Sequence, residues 1–255
     1  MVKNLSGRVV FVGAGPGAPD LITVRGLRML QQADVVIHDA LPGDALLMEI
    51  PSTTKIVPVG KRCGVHSSTQ DEINAILVRE VSQGGLVVRL KGGDPGIFGR
   101  LGEEMDYLAS RGIPFEVVPG VTAATAAGAD AAFPLTHRGK AASVTFLTGH
   151  CADGTDQNWK AHVQTGATLC LYMGAKALPS VAIKLINAGA QVDLPIRLLS
   201  KVSQDGASDV LTTLADLASG KVDVSVLPTP LIAVVGAVVA PPRHVGLMGR
   251  IAAFA

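Results

Sequence analysis

The residues with the most chemistry to offer sit in short Gly- and Pro-rich loops that follow apolar runs. Val87-Val88-Arg89-Leu90-Lys91 breaks at Gly92-Gly93-Asp94-Pro95 and continues into Ile97-Phe98-Gly99-Arg100. Paired glycines admit positive φ and carry no Cβ to obstruct a ligand. Asp94 can accept hydrogen bonds from hydroxyl or ammonium groups, and Pro95 stiffens the exit. A lone Gly-Gly-Asp-Pro is no more than a strand ending in a tight turn. Here such loops recur, and ligands in α/β proteins bind at the carboxyl ends of strands, so this loop reads as one wall of a small-molecule site. The companion loops are Gly13-Ala14-Gly15-Pro16-Gly17, His38-Asp39-Ala40-Leu41, Val59-Gly60-Lys61-Arg62 and Val118-Pro119-Gly120-Val121-Thr122. Pro134-Leu135-Thr136-His137-Arg138, Thr148-Gly149-His150 and Tyr172-Met173-Gly174 follow.

Gly13-x-Gly15-x-x-Ala18 after a strand has the form of a dinucleotide fingerprint. Pro16 and Pro19 argue against it. Each removes a backbone amide and pushes its predecessor out of the α region, whereas the fingerprint needs a helix starting inside the loop to hold a pyrophosphate. Asp34 precedes its strand instead of ending it, so the ribose acid is also misplaced.

Alternating elements must carry these loops. Strands are predicted at 8–12, 35–38, 55–59, 87–90 and 115–118, and helices at 21–32, from the 68–72 segment to about Val81, at 102–110 and after Thr122. Ser68-Thr69-Gln70-Asp71-Glu72 has the composition of a helix N-terminus. After a basic loop at 134–142 come strands at 144–147, 168–172, 196–199, 210–214 and 231–235, with a helix at 178–188. The alternation argues for α/β architecture with mainly parallel sheets. A domain boundary is expected within 132–143, giving domains 1–135 and 136–240 and a tail 241–255.

Composition agrees with a compact α/β enzyme. The chain has 255 residues, 48% hydrophobic and 17% charged, with 29 Gly and 15 Pro. A net charge of +1 supplies no global field for nucleic acid or an anionic membrane. Apolar runs are interrupted by Gly236 and Pro241-Pro242 before reaching spanning length, and no signal-peptide pattern opens the chain. A cytoplasmic protein is expected. Cys63, Cys151 and Cys170 form neither a Cys-x-x-Cys pair nor an even framework, and His66, His137 and His150 lack metal-ligand spacing. No metal is expected.

The ordered loops closely resemble those of the uroporphyrinogen-III C-methyltransferases of the tetrapyrrole methylase superfamily, from about Val9 to Val239. The glycine loop and Gly-Gly-Asp-Pro are superfamily features. Gly60-Lys61-Arg62, Ser67-Ser68-Thr69-Gln70 and Leu135-Thr136-His137-Arg138 are more specific to the uroporphyrinogen branch. The resemblance implies two α/β domains with mainly parallel or mixed sheets, a homodimer, and S-adenosylmethionine bound in the interdomain cleft. It implies methylation of two pyrrole carbons of uroporphyrinogen III to precorrin-2, feeding sirohaem or cobalamin-type tetrapyrroles, with S-adenosylhomocysteine as by-product. Donor contacts map onto Pro16, Gly92, Gly93, Asp94, Ile97, Thr122, Ala123 and Met173. Asp39 and Lys61 match the proton acceptor and donor. The substrate's many carboxylates call for cations, and Arg62, Arg100, Thr136, His137 and Arg138 sit on the matching loops; Arg can grip a carboxylate through two N–H groups. With no dehydrogenase–ferrochelatase region ahead of these motifs, a single activity is expected.

Several positions depart from the family pattern. Gly96 stands where an aromatic is usual, and Leu101 where Gly follows Phe-Gly-Arg. Ala40 replaces the Arg of Asp-Arg-Leu, and Gly139-Lys140 replaces an acidic residue. These bear on substrate preference more than on the donor. Two alternatives stay open: methylation of a later precorrin or cobalt-precorrin, and a catalytically silent tetrapyrrole-binding protein.

Overall fold

A computed structural model describes residues 7–60, 68–149 and 156–240. The chain divides into two compact units, Met1–Ala123 and Ala124–Ala255. The division falls earlier than the expected 135/136 boundary, because the alanine-rich helix belongs with the second unit. The expected tail at 241–255 lies outside the described residues.

The first unit is a parallel sheet covered on both faces. Its strands are β1 (Arg8–Gly13), β2 (Val35–His38), β3 (Lys55–Pro58), β4 (Leu86–Lys91) and β5 (Phe115–Val118), in the order β3-β2-β4-β1-β5. All pairings between these strands are parallel. Side chains alternate between faces along each strand. Val10, Val12, Val88 and Leu90 pack with Leu30 and Leu46. Val9, Phe11 and Val87 pack on the opposite face with Ile73, Leu77 and Leu108. The helices supplying these contacts are α1 (Val24–Gln31), α2 (Asp44–Leu47), α3 (Gln70–Val81) and α4 (Leu101–Ala109).

Local signals explain the helix ends. In α3 the Thr69 hydroxyl accepts from Glu72 N and the Glu72 carboxylate accepts from Thr69 N, a reciprocal capping box. The helix predicted from Leu21 instead starts at Val24. Pro19–Leu21 form a 3-10 turn, and Thr23 caps α1 by accepting from Gly26 N. The short helix α2 has no sequence periodicity to announce it.

The second unit opens with α5 (Ala123–Asp130, beginning on the last residue of the first unit). It continues through β6 (Val144–Thr148), α6 (Trp159–Gln164), β7 (Thr168–Tyr172), α7 (Leu178–Asn187), β8 (Pro195–Ser200), β9 (Ser208–Thr213), α8 (Leu214–Ala218) and β10 (Leu231–Val235). Its sheet runs β6-β7-β10-β8-β9 and is mixed: β6 and β7 pair in parallel, the other neighbours antiparallel. A mainly parallel sheet is therefore confined to the first unit. The connection from Ser200 to Ser208 is too short for a crossover, so β8 and β9 form a hairpin. One face buries Leu169, Leu171, Leu198 and Ala233 with Val181, Leu185 and Leu217 of α7 and α8. Opposite, Arg197 donates twice to Asp209, both at 2.7 Å, and to the Ala131 carbonyl at 3.2 Å. No helix among the described residues is long and apolar enough to cross a membrane.

Gly102, inside α4, has nothing within 4 Å of an added Cβ. Gly102→Ala removes backbone freedom from the unfolded chain at no steric cost and should stabilise by about 0.5–1 kcal/mol. A rise in denaturant midpoint with unchanged m-value is the expected reading.

Candidate active site

Strand order decides which loops meet. β4, β1 and β5 are neighbours, so the loops that leave their carboxyl ends lie side by side. Gly15 donates its N–H to the Gly93 carbonyl at 3.2 Å, and Gly93 donates back to Gly15 at 2.7 Å. A Cβ at Gly13 would lie 2.6 Å from the Cα of Gly120 and 2.7 Å from the Gly93 carbonyl oxygen. A Cβ at Gly120 would run into that same carbonyl. The glycines at 13 and 120 thus let three backbones stack, a requirement distinct from leaving room for a ligand. Gly93 is different: its φ is +66° and an added Cβ would meet nothing nearer than Thr122 Cα at 4.0 Å. That side of the loop is open.

Asp94 staples the stack. Its Oδ1 accepts from Gly96 N at 2.8 Å and its Oδ2 from Gly120 N at 2.9 Å. Each oxygen keeps a further acceptor site, but much of the residue's work is to lock the β4 loop onto the β5 loop. Ile97 N closes the same turn on the Asp94 carbonyl at 3.1 Å. The structure therefore brings Pro16, Gly92, Gly93, Asp94, Ile97, Thr122 and Ala123 onto three adjoining loops of one unit. The open Gly93 face leaves bare backbone for a nucleoside or its amino-acid tail to approach.

On the other side of β4 stands β2, which delivers Asp39. The Asp39 amide donates to the Leu90 carbonyl at 3.3 Å. A Cβ at Gly92 would strike Leu41 Cβ at 2.6 Å, and one at Gly60 would run into Ala40 N. These glycines seat the Asp39 loop between its neighbours. The Asp39 side chain is 29% exposed and its Oδ1 accepts from Arg89 at 2.6 Å. Arg89 is buried, and so are its partners on the opposite side: Arg89 Nε lies 3.2 Å from Glu104, and Lys91 Nζ lies 2.6 Å from the same carboxylate. Gln70 of α3 also donates to Glu104, at 3.3 Å. Burial, followed by repulsion from Arg89, holds the Lys91 ammonium below the ordinary lysine range.

Arg100 stands at the mouth of the turn after Gly99. Phe98 and Arg100 adopt left-handed φ of 53° and 54°, which side-chain-bearing residues seldom do. The Arg100 guanidinium pairs with Glu103 at 2.5 Å, both side chains more than half exposed, and this hydrogen bond raises its pKa. It stays accessible to an incoming carboxylate. Lys61 and Arg62, the expected proton donor and its neighbouring cation, lie outside the described residues, as do Cys63, His66, His150 and Cys151.

The remaining expected residues belong to the second unit. Thr136, His137 and Arg138 lie exposed on a tight turn closed by His137 N to the Ala141 carbonyl at 2.9 Å. Met173 is 56% exposed and has a φ of 53°. Beside it Tyr172 accepts from Ala124 N through its hydroxyl at 3.1 Å, tying the start of α5 to the end of β7. Gly149 and Gly174 pack so closely that a Cβ on Gly149 would collide with Gly174 Cα. Cys170 is buried and its thiol is pushed up to about 12, which makes it inert. Among the described residues, no group of three His, Cys, Asp or Glu could hold a metal.

Sequence reasoning assigned no role to Arg89, Lys91, Glu104 or Tyr172. Arg89 and Lys91 share the strand parity of Val87, whose face packs under α3 and α4. Charged residues at core-facing positions of a doubly covered strand were the signal available.

The family model for tetrapyrrole (corrin/porphyrin) methylases matches residues 8–218. The chain is 45% identical to a uroporphyrinogen-III C-methyltransferase of Paracoccus denitrificans, over 92% of this chain and 82% of that protein. It is 44% identical to siroheme synthase 1 of Yersinia enterocolitica over 96% of this chain, and there it spans about half of the longer protein, 51%. Among solved structures, a uroporphyrin-III C-methyl transferase of Thermus thermophilus complexed with S-adenyl homocysteine superposes with a TM-score of 0.80 at 36% identity, covering 91% of this chain and 99% of the other.

Proposed function

The chain belongs to the tetrapyrrole methylase family, and from that premise we propose that it methylates two pyrrole carbons of uroporphyrinogen III, giving precorrin-2. S-adenosylmethionine, when bound, supplies the methyl group and leaves as S-adenosylhomocysteine. The observation that carries the reading is Asp39, a carboxylate anchored by Arg89 at 2.6 Å beside the loop whose Gly93 face is open. Methylating a pyrrole carbon that already carries a side chain leaves a cationic adduct, which must shed a proton from a neighbouring bridge carbon. A partly exposed carboxylate at that position is the group to take it.

In this reading Pro16, Gly92, Gly93, Asp94, Ile97, Thr122, Ala123 and Met173 hold the donor. Arg62, Arg100, Thr136, His137 and Arg138 bind the substrate's carboxylates, and Lys61 returns a proton. Methyl transfer from a sulfonium consumes charge, so the protein contributes mainly orientation and exclusion of water. The backbone stack of Gly13, Gly93 and Gly120 supplies that rigidity. We place the enzyme in the cytoplasm as a homodimer serving sirohaem or cobalamin-type synthesis.

The test is anaerobic incubation with S-adenosylmethionine and enzymatically generated uroporphyrinogen III, with mass spectrometry of the tetrapyrrole. Two added methyl groups are expected. A single one would implicate Gly96 and Leu101 in a reshaped pocket. None, with donor binding intact, would shift the substrate to a later precorrin.

A further inference from the structure

We propose that Arg89 is the positioning residue for Asp39: it fixes Oδ1 and leaves Oδ2 as the edge that takes the proton from the cationic adduct that methylation leaves, at a bridge carbon beside the methylated ring. The proposal rests on the base reading of Asp39 given above and adds the residue through which that base is aimed. In the step itself a C–H bond of the bridge methylene next to the methylated ring breaks, its electron pair forms a C=C bond that neutralises the cationic adduct, and the proton passes to Oδ2, from which water later removes it.

The charge count around Arg89 supports this role. Asp39, Arg89, Glu104 and Lys91 form a chain of alternating sign. If Arg89 existed to neutralise Glu104, Lys91 at 2.6 Å would make it redundant. With Lys91 answering Glu104, the Arg89 charge is left for Asp39. Among the described residues Arg89 is the only side chain bonded to the Asp39 carboxylate.

The geometry also calls for arginine in particular. One terminal nitrogen reaches Asp39 at 2.6 Å while Nε meets Glu104 at 3.2 Å. The other terminal nitrogen donates to the carbonyls of Leu90 at 3.3 Å and Ile37 at 3.5 Å. Ile37 lies two residues before Asp39, on the strand that leads into it, so the guanidinium grips both the carboxylate and the backbone that delivers it. A lysine keeps the charge but is a single point with no planar fork. Lys91 extends the buried assembly toward the Phe98–Arg100 turn, since a Cβ on Gly99 would approach its Cε to 3.2 Å.

The experiment is a double-mutant cycle in the full chain, read as methylation turnover and as S-adenosylhomocysteine affinity by calorimetry. Arg89→Lys is expected to lower kcat about tenfold to a hundredfold through a misaimed base, with donor Kd and substrate KM unchanged. In an Asp39→Asn background the same substitution should change kcat by less than about twofold, because nothing remains to be aimed. Equal losses in both backgrounds would overturn the proposal and make Arg89 a support of the fold. So would full turnover in Arg89→Lys. Undiminished turnover in Asp39→Asn alone would instead remove the base reading, a distinguishable failure. Should Arg89→Lys not fold, the Arg89→Met, Glu104→Gln pair removes one charge of each sign and is judged by the same criterion.

Discussion

Asp39→Asn is expected to lower methylation turnover about a hundredfold to a thousandfold, the range a positioned general base contributes, while donor affinity stays at its original value. The substitution conserves shape, so the Asn carbonyl can still accept the 2.6 Å bond from Arg89 that Oδ1 accepts now. What it removes is the ability to hold a proton. Donor affinity is expected to survive because the donor loops are locked by Asp94, Gly93 and Gly120, none of which Asp39 touches. Arg89 loses a charge partner but keeps Glu104 and two carbonyls, so any loss of Tm should be modest. Single-turnover methylation with calorimetry on the same preparation measures both quantities. Loss of donor binding in step with turnover would show that Asp39 supports the donor site. Normal turnover would mean that the ring loses its proton to water unaided.

Much of the first unit was legible because its signals are local. The capping box at Thr69 and Glu72 and the apolar runs of β1 and β4 each depend on neighbours in the chain. The glycines were legible as loop markers but not in their purpose. Positive φ and open space apply at Gly93, whereas Gly13, Gly60, Gly92 and Gly120 are dictated by another loop's backbone or side chain. Those contacts depend on strand order, which spacing does not encode. The Arg89 cluster was hidden for the same reason. Its members at 39, 89, 91 and 104 come together only when β2 lies beside β4 and α4 packs over both. In the second unit, strand positions were readable while direction was not, because an antiparallel hairpin and a crossover differ in the length of a connection.

The largest structural effect is expected at Gly120. Its φ lies outside the left-handed region, so alanine is conformationally acceptable and the entire penalty is steric. The added methyl would run into the Gly93 carbonyl and approach Gly13 Cα to 2.8 Å. Both neighbours are backbone atoms, and neither can rotate away as a side chain would. Relief therefore requires the β5 loop to move off the β1 and β4 loops, which also pulls Gly120 N from the Asp94 carboxylate that it meets at 2.9 Å. Overpacking of this kind costs about 3 kcal/mol, equivalent to a fall in Tm of roughly 6–12 °C for a chain of this size. S-adenosylhomocysteine affinity should fall with it, since Gly93 and Thr122 flank the displaced loop. Calorimetric melts and titrations of Gly120→Ala beside Gly102→Ala make the comparison, because the two variants add the same methyl group to crowded and to open surroundings. Equal melting temperatures would mean that the three loops can part at no cost, and a donor site built on their contact would then lose its foundation.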